Sequence, residues 1–170
     1  MDKEINHEQA IASLESSGNY KILRKYEKQK CYHQDDSLEK IRGIFLDVET
    51  TGLSHEIDKV IEIALVPFEF SKDGRIFRLL DGYSSLEDPK TALPQKIISL
   101  TGITNEMLHG KSFNDDEIKN IVASSKLVIA HNAIFDRKFL EKRFPFFNEK
   151  PWGCSLSQVS WSDKGFLVVN

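Results

Sequence analysis

The sequence predicts an α/β protein in which helices are layered against a sheet, and three observations point to that class. Apolar runs typical of β-strands occupy residues from about 43 to 85. Patterns with helical spacing follow them along the chain. A short apolar run, Leu127–Ala130, then leads directly into a further helical pattern. Strands, then helices, then a strand–helix unit are typical of layered α/β folds.

The composition agrees with one folded domain and excludes several other classes of protein. Of the 170 residues, 40% are hydrophobic and 29% are charged, so wholesale disorder is not expected. The net charge of −3 does not indicate a broadly basic surface. No apolar run approaches the roughly 20 residues of a transmembrane helix, and the charged start lacks a signal-peptide pattern. Cys31 and Cys154 form neither a disulfide scaffold nor a metal-ligand spacing. We therefore expect a cytoplasmic protein without a membrane partner.

The first 42 residues are polar and contain two short helical patterns. The first places Ala10, Ile11 and Leu14 on one side and ends at Gly18, a typical C-terminal residue of a helix. The second begins near Asn19 and carries a basic face. The basic residues of that face are Lys21, Arg24, Lys25, Lys28 and Lys30. They form either a solvated helix face or a patch that contacts phosphates.

Three strands are predicted next. Ile44–Glu49 is a strand that ends at the turn Thr50–Gly52, and Val60–Phe70 is a second strand. Lys72–Arg75 predicts a hairpin connection, and Arg75–Tyr83 a third strand.

Helices dominate the remainder. We expect helices over Pro94–Ser99 and Asp115–Ser124, separated by a turn at Thr101–Thr104. The strand Leu127–Ala130 then precedes a helix from about 132 to 144.

Two carboxylates at the end of the first strand predict a cation site. Because side chains alternate across a strand, Asp47 and Glu49 project from one face, roughly 6.6 Å apart along the chain. Carboxylates so close repel each other unless a positive charge lies between them. Oxygen ligands favour Mg²⁺ or Mn²⁺ over zinc. The pattern Asp-x-Glu occurs three times in this chain, but only here does it follow an apolar strand and precede Thr-Thr-Gly.

A second polar cluster lies at the start of the last predicted helix. Asp136 falls in the first helical turn, where free backbone N–H groups favour an anion, so by itself it fits a purely structural role. His131 is either a hydrogen-bonded structural histidine or a metal ligand. Asn132 is either the helix cap or a substrate contact.

These residues resemble a known family. Ile44–Leu53 (IFLDVETTGL) and Ile129–Asp136 (IAHNAIFD) are similar to the first two motifs of the DEDD exonucleases. These are the DnaQ-like proteins related to the proofreading epsilon subunit of DNA polymerase III. Val60–Ala64 and Leu100–Met107 also resemble the family, and Leu14–Arg24 resembles the lead-in of a standalone bacterial subgroup.

The resemblance implies a ribonuclease H-like fold, a mixed sheet flanked by helices, and the release of nucleoside monophosphates from a 3′ end. It implies two Mg²⁺ or Mn²⁺ ions about 4 Å apart. Asp47 would bridge both ions, Glu49 would bind the nucleophile-side ion, and Asp136 would hold the other. The nucleotide-binding positions implied by the resemblance are Thr50, Thr51, Glu62 and Asn132.

The chain departs from the family at the third motif, H-x4-D or Y-x3-D. No His or Tyr follows Asp136, and the only later Asp is Asp163. We therefore expect a C-terminally truncated protein, with a helical extension over residues 1–42 and an incomplete exonuclease domain over residues 43–170. Loss of a general base alone costs about 10²–10⁴-fold in rate, so we expect impaired activity.

Two functions remain open on the sequence. The first is a metal-dependent 3′→5′ exonuclease acting on the 3′ end of a single nucleic-acid strand, with DNA expected. The alternative is a catalytically inactive remnant of the same fold that binds nucleic acid or protein. Association with a polymerase is compatible with the resemblance but is not encoded in any residue pattern we recognise.

Overall fold

The computed structural model of the protein describes residues 6–23, 25, 27, 29, 31–34 and 37–164. Within these residues, six strands form one mixed sheet. The strands are β1 (Ile41–Thr50), β2 (Val60–Phe70), β3 (Ile76–Leu79), β4 (Tyr83–Leu86), β5 (Leu127–Ala130) and β6 (Trp152–Cys154). Their order is β3-β2-β1-β5-β6, and β4 pairs with β2 as well. β2 runs antiparallel to β1, whereas β5 runs parallel to β1 and β6 runs parallel to β5. The predicted α/β class with a mixed sheet is confirmed.

The predicted third strand over residues 75–83 is wrong, because the structure divides this region into β3 and β4. β3 pairs with β2 around Phe68, and β4 pairs with β2 around Leu65. Between them, the N–H of Leu80 donates to the carbonyl of Pro67 at 2.8 Å. Because Pro67 has no N–H, it cannot donate a second hydrogen bond back to Leu80. The ladder of hydrogen bonds along β2 is therefore incomplete between β3 and β4. The pattern of residues 75–83 alone does not reveal this interruption, because its cause lies on the neighbouring strand.

Five α-helices lie within the described residues. They are α1 (His7–Ser16), α2 (Gln95–Thr101), α3 (Asn105–Leu108), α4 (Asp115–Ala123) and α5 (Ala133–Arg143). Two 3₁₀ helices follow, over Pro145–Glu149 and Ser162–Lys164. Gly102 ends α2 with a left-handed φ of 75°, which glycine adopts without steric cost. Asn114 caps α4, whose first turn holds three acidic residues. The short helix α3 and the strand β6 are not predicted by the sequence patterns.

The N-terminal segment contains one of its two predicted helices. α1 ends just before Gly18, as expected, but it buries no residue. The second helix, predicted from Asn19, is wrong, because the described residues between 19 and 34 contain no helix. Tyr20 and Leu23 are 59% and 84% exposed, and a short helix without packed apolar residues is marginal in water. Arg24, Lys28 and Lys30 of the predicted basic face lie outside the described residues.

The larger hydrophobic cluster contains the buried side chains of one face of β1. Ile44, Leu46 and Val48 of β1 are buried together with side chains of α4 and α5. A smaller apolar cluster packs β2 against α2 and α3 through Ile61 and Leu108. No helix among the described residues has the length and apolar content needed to cross a bilayer.

Candidate active site at the end of β1

The carboxylates of β1 lie on the face of the strand opposite to Ile44, Leu46 and Val48. Leu46 and Val48 are buried, whereas Asp47 is exposed and Glu49 is partly buried. This alternation confirms the prediction that Asp47 and Glu49 project from one face. Both residues are near the end of β1, where the strand leads into the loop that begins at Thr51.

Glu49 has a second acidic residue directly across the sheet. In the antiparallel ladder, Glu49 is paired with Glu62 of β2. Side chains in such a pair are close neighbours, and like charges there are destabilising. Burial, together with the charges of Asp47 and Glu62, raises the pKa of Glu49. Negative charge is therefore concentrated at this end of β1 and β2.

Asp136 joins this site from the first turn of α5. β5 pairs only with residues 43–45 of β1, so the end of β1 extends beyond its parallel neighbour. There the N–H of Val48, which lies between Asp47 and Glu49 in sequence, donates to Oδ1 of Asp136 at 3.2 Å. Asp136 is only 2% exposed. Burial, reinforced by the charge of Asp47, raises the pKa of Asp136 to about 7.

Asn132 and His131 lie immediately before α5. Asn132 occupies the N-cap position in a left-handed conformation, with φ of 58°, and its side chain makes no capping hydrogen bond. It therefore turns the chain into the helix through its backbone, and asparagine tolerates that conformation better than most residues. His131 Nδ1 is 3.0 Å from the hydroxyl of Ser155, which favours the structural interpretation of this histidine.

The two threonines after Glu49 use their hydroxyl groups within the loop. The Thr50 hydroxyl donates to the carbonyl of Gly52 at 2.6 Å, and Thr50 is buried. The Thr51 hydroxyl donates to Asp58 Oδ1 at 2.9 Å and accepts from the N–H of Lys59 at 3.0 Å. Both threonines therefore shape the loop that follows the carboxylates.

The chemistry of the carboxylates fits a hard divalent cation. Asp47, Glu49 and Asp136 supply oxygen atoms only, which suits Mg²⁺ or Mn²⁺. The raised pKa values of Glu49 and Asp136 indicate that a positive charge would be stabilising between them. In the part of the chain that the structure describes, no three His, Cys, Asp or Glu side chains are grouped closely enough to hold a metal ion. The donor types of the three carboxylates fit such an ion.

Several residues near the site are not found by sequence reasoning. Leu53, in the loop after β1, is 84% exposed, and Ile134, in the first turn of α5, is 64% exposed. Cys154 pairs with Ala130 at the ends of β6 and β5. A hydrogen bond from the Ser157 hydroxyl lowers the pKa of the Cys154 thiol to about 7. Leu53 and Ile134 could have been noticed in the sequence as apolar residues in polar surroundings. The position of Cys154 could not be predicted, because it depends on the unpredicted strand β6.

The third-motif residues expected from the resemblance have no counterpart in this chain. Asp163, the only aspartate after Asp136, is exposed in the 3₁₀ helix Ser162–Lys164. A cavity of about 510 Å³ lies between the loop before β2, the segment after β4 and the end of α5. Asp47, Glu49 and Asp136 do not line this cavity.

Comparison with protein families identifies one match over most of the chain. The RNase_T model, described as exonuclease, matches residues 44–158. The PolC-type DNA polymerase III of Clostridium perfringens is 39% identical over 101 residues, which are 58% of this chain and 7% of that protein. The corresponding protein of Thermotoga petrophila is 35% identical over 108 residues, 62% of this chain and 8% of that protein. The chain thus spans less than a tenth of the length of these relatives.

Solved structures with the same fold include exonuclease I of E. coli. Its complex with a 5cy-dT13 oligonucleotide matches with a TM-score of 0.56 at 15% identity, covering 69% of this chain and 29% of that chain. The zinc-bound form of its complex with single-stranded DNA matches with a TM-score of 0.55 at 16% identity, covering 68% and 28%. At this level of identity the likeness shows the fold alone.

Proposed function

This chain belongs to the DnaQ-like 3′→5′ exonuclease family, and from that premise we propose that it removes nucleoside monophosphates from the 3′ end of a single DNA strand with Mg²⁺ or Mn²⁺. The family match covers β1, β2, β5 and α5, the elements that carry Asp47, Glu49 and Asp136. The relatives are named as DNA polymerases, and the structural neighbours include complexes with DNA oligonucleotides, which supports DNA as the substrate.

The hydrogen bond from the Val48 N–H to Asp136 is the observation that carries this proposal. At 3.2 Å, it brings a carboxyl group of α5 to the backbone between Asp47 and Glu49. Asp136 is 88 positions away from Val48 in sequence, so the fold itself brings this carboxyl group to the strand of Asp47 and Glu49. The raised pKa of Asp136 supports a role for a cation, because a buried carboxylate is stabilised by positive charge.

Asp47, Glu49 and Asp136 would hold the divalent ions. Two bound ions would supply an activated water and stabilisation of the leaving 3′ oxygen. The protein residues position the donors: Asp47 and Glu49 are fixed by the β1–β2 ladder, and Asp136 is fixed by the Val48 N–H.

The terminal nucleotide would lie against the loop after β1 and the start of α5. We assign Thr50, Thr51, Glu62 and Asn132 to this region. Because the two threonine hydroxyls already donate within the protein, they would act by shaping the loop.

Apolar contacts to the nucleotide would come from exposed side chains at the same place. Leu53 and Ile134 are exposed and lie next to the carboxylates along the chain, which suits contact with an unstacked base or its sugar.

We expect slow turnover from this 170-residue chain. Within these 170 residues no His or Tyr follows Asp136 that could orient or deprotonate an attacking water. That loss alone predicts a rate about 10²–10⁴-fold below a relative with the third motif. Three carboxylates also leave part of the charge of two divalent ions unbalanced. Turnover equal to that of such a relative would contradict this expectation.

A second candidate function, binding without hydrolysis, is favoured by one observation. Among the described residues, no three potential ligands are grouped closely enough for a metal ion. In that case the chain would bind single strands, and binding would not depend on Asp47.

Release of labelled mononucleotide distinguishes the two functions. The protein, in excess over a 3′-labelled single-stranded DNA and a matching RNA, is incubated with Mg²⁺, with Mn²⁺ or with chelator. The Asp47→Ala variant sets the background. Metal-dependent release above that background supports the exonuclease, and binding of the strand without release supports the second candidate.

A further inference from the structure

The loop between β1 and β2 is closed by one carboxylate that belongs to neither strand. Asp58 Oδ1 accepts from the hydroxyl of Thr51 at 2.9 Å, and Asp58 Oδ2 accepts from the N–H of Ser54 at 2.9 Å. The Asp58 N–H itself donates to the carbonyl of Ser54 at 2.8 Å. Both oxygens and the backbone of this residue therefore fix residues 51–54, which follow directly after the β1 carboxylates.

The Asp58 carboxylate packs closely against Gly52 in the same loop. A Cβ atom placed on Gly52 would lie 2.5 Å from Asp58 Oδ2, closer than any real contact. The loop ends are also joined, because the Thr51 N–H donates to the Lys59 carbonyl at 2.9 Å and the Lys59 N–H donates to the Thr51 hydroxyl at 3.0 Å. A side chain at residue 52 would therefore displace the Asp58 carboxylate from its present position.

Asp58 acts on the loop and not on the carboxylates. Glu49 is held by its place opposite Glu62 in the ladder, and Thr50 is opposite Val60 and donates to the Gly52 carbonyl. Leu53, in contrast, lies between the two residues that Asp58 holds, and its side chain is 84% exposed. Removal of the Asp58 carboxylate would therefore release Leu53 and leave Asp47 and Glu49 in place.

We propose that Asp58 is a positioning residue of the exonuclease site, which holds the loop 51–54 and its exposed Leu53 against the terminal nucleotide of the strand. This inference rests on the proposed function. It concerns binding of the 3′ end, and it assigns to Asp58 no contact with the reacting atoms.

The test compares Asp58→Ala and Asp58→Asn with wild type and with Asp73→Ala. Asp73 is a matched control, because it also lies in a connection between strands and accepts from a serine hydroxyl and from a backbone N–H. We measure Kd for a fluorescent single-stranded DNA by anisotropy, and kcat and KM for mononucleotide release, with thermal unfolding as a check of folding.

We expect Asp58→Ala to raise Kd and KM about tenfold, the equivalent of one lost charged hydrogen bond, with kcat within about twofold of wild type. Asparagine retains one acceptor oxygen, so Asp58→Asn should fall between Asp58→Ala and wild type. Asp73→Ala should leave Kd and KM unchanged.

The outcomes separate this inference from the proposed function. If wild type binds DNA without releasing nucleotide, the exonuclease proposal fails, and a tenfold weaker Kd in Asp58→Ala still supports the inference. Kd and KM equal to those of Asp73→Ala would overturn it. A fall in kcat at unchanged KM would also overturn it, as would the absence of DNA binding by wild type.

Discussion

Oδ1 of Asp136 accepts a hydrogen bond from the backbone N–H of Val48 at 3.2 Å, across 88 positions of sequence. The bond forms because β5 is shorter than β1, which leaves the end of β1 without a parallel neighbour. The first turn of α5 occupies that open edge and brings a buried carboxyl group to the strand of Asp47 and Glu49. The candidate site therefore depends on the relative lengths of two strands as much as on its acidic residues.

The raised pKa of Asp136 predicts how the stability of the metal-free protein depends on pH. Burial raises its pKa to about 7 in the folded state, against about 3.9 in an unfolded chain. The folded state therefore holds this proton more tightly, and its stability should fall as pH rises from about 4 to 7. Asp136→Asn should stabilise the protein at pH 8, by an amount of the order of a few kcal/mol, and much less at pH 5. Urea unfolding of wild type and Asp136→Asn in chelator, at pH 8 and at pH 5, measures the difference in the free energy of unfolding. An equal difference at the two pH values would contradict this prediction.

Divalent cations should stabilise the folded protein through the same carboxylates. A ligand that binds only the folded state raises the free energy of unfolding by about 2.7 kcal/mol at 100 times its Kd. We expect Mn²⁺ to raise the melting temperature of wild type at pH 8 and to have little effect on Asp47→Ala. Asp81→Ala, which removes an exposed aspartate in the connection between β3 and β4, should respond like wild type. A cation shift that persists in Asp47→Ala would argue against these ligands.

Lys142 connects the loop after β1 to the helix that carries Asp136. Its Nζ donates to the carbonyls of His55 and Glu56, at 2.9 and 2.6 Å. Lys142→Met should therefore accelerate amide hydrogen exchange in residues 51–59, with a stability loss below about 1 kcal/mol because the bonds are exposed. Lys138→Met, an exposed lysine on the same helix, is the control. Equal exchange in the two variants would show that Lys142 does not restrain the loop.

Arg143 should contribute more to stability than an exposed ion pair of the same helix. Its guanidinium donates two hydrogen bonds to Glu87 and two to Asp115, at 2.8 to 3.1 Å, and it covers the ring of Phe144. A lysine ammonium group cannot donate to both carboxylates with the planar geometry of the guanidinium. Arg143→Lys should therefore cost about 1–2 kcal/mol in the free energy of unfolding. Arg137→Lys, which alters an exposed pair with Glu141, should cost less than about 0.5 kcal/mol. Similar losses in both variants would contradict the special role of Arg143.

The carboxylate geometry of β1 could be predicted from sequence, because side-chain alternation in a strand is local. That rule alone predicts which face of β1 carries Asp47 and Glu49 and which face carries the buried Leu46 and Val48. The contact between Val48 and Asp136 could not be predicted in the same way, because it depends on the pairing of β5 with β1. No local sequence pattern contains that pairing. Asp58 was missed for a similar reason, since an aspartate in a polar loop has no signal until its partners Thr51 and Ser54 are placed.

The elements that were predicted wrongly also depended on distant partners. The basic helix after Asn19 was expected from spacing alone, but Tyr20 and Leu23 found no apolar surface to cover them. The third strand was divided by Pro67 of the adjacent strand. β6 is only three residues long, and it exists because Val128–Ala130 offers it a parallel edge.

We propose that Asp47 and Asp136 act together at a 3′ end, and side-by-side hydrolysis of one oligonucleotide by wild type and two variants distinguishes this from other modes of action. Wild type, Asp47→Ala and Asp136→Asn are incubated in excess with single-stranded DNA labelled at either its 3′ or its 5′ end, with Mn²⁺. We predict that wild type releases the 3′ label as mononucleotide from the start and shortens the 5′-labelled strand stepwise. Both variants should lose this release by about a thousandfold, the equivalent of about 4 kcal/mol. Release from the 5′ end first, or undiminished release by either variant, would show that the two carboxylates do not act together at the 3′ end.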